Sequence, residues 1–129
     1  MASSPVLLLV IEDNPADLRL LQELVREVAP GSFEIHSVRR LADGIAALRS
    51  RSYPVVLLDL SLPDGQGLST IDAVRAVAPE TPLIVLSGML DEELVAGAHE
   101  RGAVASFVKG SEKINELISV IRHLSIAPP

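Results

Sequence analysis

The chain has 129 residues, of which 48% are hydrophobic, a formal net charge of -6 at pH 7, and no cysteine. This length is sufficient for one domain with a core of its own, and the lack of cysteine excludes disulfide bonds and thiolate metal sites. The negative charge and the scarcity of aromatic residues argue against direct nucleic-acid binding, and no apolar run approaches the ~20 residues of a membrane span.

The first third of the chain alternates between strand and helix patterns. Met1 to Ser4 carry no basic residue, so we expect no signal peptide and a cytoplasmic location. The apolar run from Val6 to Ile11 predicts a buried strand, after which Asn14 and Pro15 suit the N-cap and first position of a helix. That helix ends at Pro30-Gly31. A second, more alternating strand is predicted at residues 33–38, and a weaker helix over residues 41–48 contains a glycine.

The middle of the chain contains the longest apolar strand pattern. Pro54 to Leu58 predict a third strand that is covered on both faces, and Asp59 follows it. The segment from Pro63 to Gly67 is predicted to be a loop, and the next helix is closed by Pro79. Leu83 to Leu86 predict the fourth strand.

The last third repeats the alternation. The acidic residues 91–93 favour the first turn of a fourth helix, which ends at Arg101-Gly102. Residues 106–108 predict a short fifth strand. Ser111 is predicted to cap the last helix, whose apolar residues lie on one face between Ile114 and Leu124.

Five strands that alternate with five helices predict an α/β fold, in which a parallel sheet is covered by helices on both faces. Right-handed crossovers bring the carboxyl ends of all five strands to one edge of the sheet. Charged or hydroxyl side chains follow four of the five strands: Glu12, Asp13, Asp59, Ser87 and Lys109. An aspartate after one strand often only begins a turn, but this set predicts a site.

The chemistry of these side chains points to phosphate and a divalent cation. Carboxylates about 4 Å apart repel by roughly 4 kcal/mol per pair at an effective dielectric constant near 20. Mg²⁺, a hard cation that prefers oxygen ligands, would relieve this repulsion. Lys109 supplies a positive charge for a phosphate group, and Ser87 supplies a hydroxyl donor. Asp59 is then a candidate nucleophile that forms an aspartyl phosphate.

Four stretches carry a resemblance to a known family. They are Val10-Ile11-Glu12-Asp13-Asn14-Pro15, Leu57-Leu58-Asp59-Leu60-Ser61-Leu62-Pro63-Asp64-Gly65, Val85-Leu86-Ser87-Gly88 and Phe107-Val108-Lys109. In this order and spacing the chain resembles the receiver domain of bacterial two-component response regulators. The resemblance implies one domain over residues 5–126, with a flavodoxin-like, doubly wound sheet of strand order 2-1-3-4-5.

The resemblance also implies roles for individual residues. Asp59 would accept phosphate from a histidine kinase or a histidine phosphotransfer protein, and Ser87 and Lys109 would hold the phosphoryl group. The implied Mg²⁺ ligands are Glu12, Asp13, Asp59 and the carbonyl of Ser61. Such a domain is a signalling switch rather than an enzyme, although it assists its own phosphorylation and dephosphorylation.

The implied partners are the phosphodonor and a downstream output domain or protein, with no direct contact to nucleic acid or membrane. A homodimer through the fourth helix, the fifth strand and the fifth helix is also compatible with the family.

Two positions depart from the family pattern. Gly110 stands where the family usually has a proline after the lysine, and this predicts a more mobile loop. Ser106 stands where the family usually has an aromatic residue that reports activation on the output face. Phe107 is adjacent, but strand alternation places it on the opposite face of the sheet.

Two alternatives compete with a phosphorylatable switch. One is a receiver-fold module that binds partners without being phosphorylated, although the chain retains every site group. The other is a flavodoxin-type cofactor protein, which would need aromatic residues near these loops to flank the cofactor. The three histidines, His36, His99 and His123, have no ligand spacing and are predicted to lie on the surface.

Overall fold

The computed structural model describes residues 4–125. The expectation about a signal peptide rests largely on residues 1–3, and the predicted domain end at residue 126 also lies outside the described residues. The elements are β1 (Val6–Ile11), α1 (Pro15–Val28), β2 (Phe33–Val38), α2 (Leu41–Ser50), β3 (Val55–Asp59), β4 (Ser61–Leu62), β5 (Gly65–Gln66), α3 (Ser69–Val77), β6 (Leu83–Ser87), α4 (Glu92–Glu100), β7 (Ala105–Val108) and α5 (Ile114–Ser125).

Five parallel strands form the main sheet in the order β2-β1-β3-β6-β7. Because β6 and β7 are the fourth and fifth strands of this sheet, the order is the predicted 2-1-3-4-5, and the predicted fold class is confirmed. Between residues 4 and 125, no helix is both long and apolar enough to cross a membrane.

The hydrophobic core has two layers, one on each face of the sheet. The first layer contains Leu9, Val56 and Val85 from the strands, with Ile71 from α3 and Ala98 from α4. The second layer places Leu8, Val55 and Ile84 against Leu21 of α1 and Ile118 of α5. Adjacent strand residues thus enter opposite layers, as the two-residue period of a strand requires. The central strand β3 is buried at every position, which explains the unbroken apolar run that precedes Asp59.

Several boundaries differ from the sequence-based prediction. Ser87 is the last residue of β6 and does not follow it, and β7 begins at Ala105, one residue before the predicted start. Asp59 is the last residue of β3 and pairs with Leu86, so it belongs to the strand and does not follow it. The predicted loop after Asp59 contains a small antiparallel hairpin, β4–β5, whose Leu62 is buried. Ser111 does not cap α5. That helix begins at Ile114, whose amide donates to the Ser111 carbonyl across an intervening turn.

The N-terminus of α2 takes its cap from the β4–β5 hairpin. Arg40 precedes the helix and provides no side-chain cap. Instead the Asp64 carboxylate accepts from the backbone N–H groups of Leu41 and Ala42, at 2.7 and 2.9 Å. These hydrogen bonds hold the pKa of Asp64 below its ordinary value. The hairpin that follows Asp59 is therefore fastened to α2.

Arg75 connects two loops at the amino ends of the strands, the end of the sheet that lies away from Asp59. Its guanidinium donates to the carbonyl oxygens of Ala78 at 3.1 Å and Thr81 at 2.5 Å, in the loop after α3. It also donates to the carbonyl of Gly102 at 2.6 Å, in the loop after α4. Gly102 has φ +94°, and a Cβ atom there would lie 3.0 Å from Arg75 Nε. The backbone conformation therefore favours glycine, and a Cβ atom would in addition force the Arg75 side chain to shift.

Candidate functional site

The predicted site residues meet at the carboxyl edge of the main sheet. Glu12 directly follows β1, and Asp59 and Ser87 end β3 and β6. The backbone N–H of Lys109, just after β7, donates to the carbonyl of Ser87 at 2.8 Å. The parallel direction of the strands brings these residues to the same end of the sheet, and the strand order makes them neighbours there.

Three carboxylates are close enough to share one cation. Glu12, Asp13 and Asp59 each present an oxygen, and these oxygens lie within 4.8 Å of one another. The side chains of Glu12 and Asp59 are buried, at 6% and 4% exposure, whereas Asp13 is half-buried. Buried carboxylates this close are costly unless positive charge compensates them. The donor set consists only of hard oxygen atoms, which fits Mg²⁺ or a similar divalent ion.

Lys109 provides the positive charge within the structure. Its Nζ lies 2.6 Å from Glu12 Oε1 and 3.1 Å from Asp59 Oδ2. A third carboxylate, Asp17 Oδ2, lies 2.9 Å from the same nitrogen. An ammonium group has three N–H donors, so each of these carboxylates can accept one of them.

The pKa values reflect this crowding. Burial raises the pKa of the Glu12 carboxyl to about 7; the hydrogen bond from Lys109 opposes the rise, and the nearby Asp59 adds to it. Burial alone would lower the pKa of Lys109, but its hydrogen bonds to Glu12, Asp17 and Asp59 raise it above its ordinary value. Lys109 therefore stays charged, yet one ammonium cannot neutralise all the neighbouring carboxylates.

The two serines of the predicted site make different hydrogen bonds. The backbone N–H of Ser61 donates to Asp59 Oδ1 at 3.1 Å, which fixes the orientation of that carboxylate. The hydroxyl of Ser87 donates to the carbonyl of Met89 at 2.8 Å, so it is engaged within its own loop. Met89 is 81% exposed, so its side chain does not anchor this loop in the core.

The turn from β1 into α1 shapes the acidic end of the site. Asn14 caps α1, as predicted, by accepting from the amides of Ala16 and Asp17 at 2.9 and 3.1 Å. The amide of Asn14 in turn donates to Glu12 Oε2 at 3.1 Å. Glu12 is thus held on both oxygens, by this amide and by Lys109.

Asp17 is the site residue that sequence reasoning missed. Its carboxylate contacts Lys109 although 92 residues separate them in sequence. Its position in the first turn of α1 predicts only a favourable interaction with the helix dipole. The available signal was the short distance in sequence from Asn14, which places the first turn of α1 beside the end of β1.

The structure gives a reason for the glycine that follows Lys109. Gly110 has φ +122°, a backbone conformation that residues other than glycine rarely adopt. A proline could not occupy this position without a different loop, since its ring fixes φ near -65°. The prediction that this loop is more mobile stays a prediction.

The other positions singled out in the sequence lie outside the site. Ser106 is half-buried, while Ala105 and Phe107 pack into the layer formed by α1 and α5, so Ser106 faces the other side of the sheet. His36, His99 and His123 are exposed, as predicted.

Comparisons with known proteins agree on one family. The family model described as response regulator receiver domain matches residues 8–122. The chain is 30% identical over 115 residues to the acid tolerance regulatory protein ActR of Rhizobium meliloti strain 1021, covering 89% of the chain and 58% of ActR. It is 34% identical over 115 residues to the swarming motility regulation protein RssB of Serratia marcescens, covering 89% and 51%. The chain thus spans little more than half the length of these relatives.

Solved structures share the fold at lower identity. One is the receiver domain of the sensor histidine kinase PA1611 from Pseudomonas aeruginosa PAO1, with a magnesium ion coordinated in the active site cleft; it has a TM-score of 0.78 at 19% identity and covers 95% of this chain and 99% of that one. Another is the beryllofluoride-activated NtrC4 receiver domain dimer, with a TM-score of 0.78 at 22% identity and coverages of 92% and 94%.

Proposed function

Because the chain belongs to the response regulator receiver domain family, we propose that it is a phosphorylatable switch in which Asp59 accepts one phosphoryl group. The observation that carries the proposal is the position of Asp59. Asp59 is the last residue of the central strand, and its carboxylate lies in an acidic cluster 3.1 Å from the Lys109 ammonium. The resemblance found in the sequence is confirmed at the level of the family, and the role of each residue is part of the proposal.

The proposed reaction is a phosphoryl transfer. A carboxylate oxygen of Asp59 forms a bond to phosphorus while the bond from phosphorus to the donor breaks, and the donor keeps the electron pair of that bond. The donor is a phosphohistidine of a histidine kinase or of a histidine phosphotransfer protein. Transition states of this kind are stabilised mainly by positioning and by positive charge near the phosphoryl oxygens.

The chain's own residues divide this work. Glu12, Asp13, Asp59 and the carbonyl of Ser61 would hold Mg²⁺, which supplies positive charge to the phosphoryl oxygens when it is bound. Lys109 would donate to one of those oxygens and Ser87 to another. The amide of Ser61 keeps Asp59 oriented for attack, given its contact with Oδ1.

The test of the function is the intact mass of the chain after incubation with acetyl phosphate. We expect a single phosphoryl increment when Mg²⁺ is present and none when the metal is chelated, because the nucleophile is otherwise surrounded by like charge. Absence of the increment under both conditions would favour a receiver-fold module that acts through partner contacts alone.

The output of the switch should begin at Ser87. We expect its hydroxyl to leave the Met89 carbonyl and donate to a phosphoryl oxygen, a gain of roughly 1.5 to 3 kcal/mol for a bond to a charged group. The loop from Ser87 to Leu90 and the start of α4 would then shift, whereas Ser106 is too small to report the vacated space. The resulting coupling to a partner is of the order of 1 to 3 kcal/mol.

Amide chemical shifts on addition of beryllofluoride, a phosphoryl mimic, measure this movement. We expect the largest changes between residues 87 and 93. Changes centred on residues 106–108, with the loop after β6 silent, would contradict the assignment.

We also propose the partners and the location that go with this function. The phosphodonor and a downstream output domain or protein act in the cytoplasm. A homodimer through α4, β7 and α5 would cover the exposed side chains of Val95 in α4, Val104 just before β7 and Val108 in β7, which are 41%, 48% and 46% exposed.

A further inference from the structure

Asp17 differs from the other two carboxylates that contact Lys109. Its side chain is 37% exposed, against 6% for Glu12 and 4% for Asp59. It also lies outside the group of acids whose oxygens could share a cation. A cation at that group would therefore compensate Glu12 and Asp59 and leave Asp17 paired with the lysine.

The position of Asp17 is fixed by its own helix. Its backbone N–H donates to the capping side chain of Asn14 at 3.1 Å, so the residue is held in the first turn of α1. The contact with Lys109 at 2.9 Å therefore joins a fixed turn to the end of β7.

Donor counting makes Asp17 relevant to the phosphoryl group. All three N–H donors of Lys109 have a carboxylate within hydrogen-bond distance. A phosphoryl oxygen can bond to Lys109 only by displacing one of these acceptors. A cation at the acidic group compensates the charge of Glu12 and Asp59, even where Glu12 keeps its contact with Lys109 and reaches the cation through water. The acceptor whose charge stays uncompensated, and which therefore still competes with a phosphoryl oxygen, is Asp17.

We propose that Asp17 is a positioning residue that competes with the phosphoryl group for Lys109 and thereby weakens phosphoryl binding at Asp59. The inference rests on the proposed function. Two effects act in the same direction: Asp17 occupies a donor of Lys109, and its negative charge repels the phosphoryl oxygens. The chain thus carries a built-in limit on the stability of its phosphorylated form.

The opposite role is that Asp17 merely anchors Lys109 in place. The two roles predict opposite changes in the affinity for a phosphoryl mimic when Asp17 is removed. If Asp17 only anchors the lysine, its removal loosens the site and weakens the binding of every ligand. If it competes, its removal strengthens the binding of the phosphoryl mimic, while Mg²⁺, which is attracted by negative charge, binds no better than before.

The experiment measures two affinities of the whole chain by titration of its amide spectra. One is the affinity for Mg²⁺ alone, and the other is the affinity for beryllofluoride at saturating Mg²⁺. For Asp17→Asn we expect beryllofluoride to bind about five- to tenfold more tightly, which corresponds to about 1 to 1.4 kcal/mol. We expect the affinity for Mg²⁺ to be unchanged or up to about threefold weaker, because a nearby negative charge is lost.

Three further variants serve as controls. Asp17→Ala should shift the two affinities in the same sense as Asp17→Asn, and Asp17→Glu should retain most of the wild-type behaviour because it keeps the charge. Glu23→Gln removes an exposed charge further along α1 and should change neither affinity.

The outcomes separate this inference from the proposed function. If the wild-type chain binds beryllofluoride but Asp17→Asn leaves that affinity unchanged or lowers it, the inference is wrong and the function stands. Affinities for both ligands that move in the same direction also overturn the inference. If the wild-type chain binds no beryllofluoride, the proposed function fails and the inference fails with it.

Discussion

Asp59→Asn should abolish the phosphoryl increment that acetyl phosphate and Mg²⁺ add to the wild-type chain. An amide cannot attack phosphorus as a carboxylate does, so we expect a loss of at least about a hundredfold in labelling rate. The substitution preserves the size of the side chain and removes one charge from a crowded acidic cluster. The folded state should therefore persist, and a thermal melt followed by circular dichroism would check this.

A matched substitution makes the result specific. Asp43 is an exposed aspartate in the first turn of α2, and Asp43→Asn changes the net charge by the same amount. This variant should be labelled like the wild type. Labelling of Asp59→Asn at the wild-type rate would place the phosphoryl group on another residue and refute the role of Asp59.

Asp13→Ala should weaken Mg²⁺ binding more than Glu12→Ala does. Asp13 is half-buried and its carboxylate is available to the cation, whereas both oxygens of Glu12 already accept hydrogen bonds, from Lys109 and from the amide of Asn14. Mg²⁺ takes few direct carboxylates and keeps several waters, so Glu12 should act mainly through water. We expect a loss of more than about tenfold for Asp13→Ala, or about 1.4 kcal/mol, and a smaller loss for Glu12→Ala.

Titration of both variants with Mg²⁺, monitored by amide chemical shifts, would show which variant loses more affinity for the metal. Glu34→Ala serves as the control, because Glu34 is an exposed acid on the edge strand β2. A larger loss for Glu12→Ala than for Asp13→Ala would overturn the assignment of the direct ligand.

The elements that the sequence predicts best are those determined by local chemistry. Asn14 and Pro15 place the start of α1, since an N-cap side chain and a proline at the first helical position act within a single turn. The buried run before Asp59 predicts a central strand because a strand covered on both faces has no polar alternation. The convergence of Glu12, Asp59 and Lys109 then follows from the parallel topology.

The features that the sequence does not predict are contacts between distant parts of the chain. Asp64 caps α2 from 23 residues away, and a turn-forming aspartate in a Pro-Asp-Gly sequence gives no indication of such a partner. Asp17 contacts Lys109 across 92 residues. The orientation of the Ser87 hydroxyl is equally inaccessible, because it depends on the path of the loop through Met89.

The partly buried guanidinium of Arg75 has a consequence for local unfolding. The carbonyls that it binds belong to the loop after α3 and to the loop after α4, which are distant from each other in sequence. If either loop opened alone, donors of a partly buried cation would lose their acceptors, which is costly. The two loops are therefore expected to open together, as one cooperative unit whose stability differs from that of the exposed loop after β6. We expect the end of α4 near Arg101 to be the more firmly held end, and the loop around the exposed Met89 to open more readily.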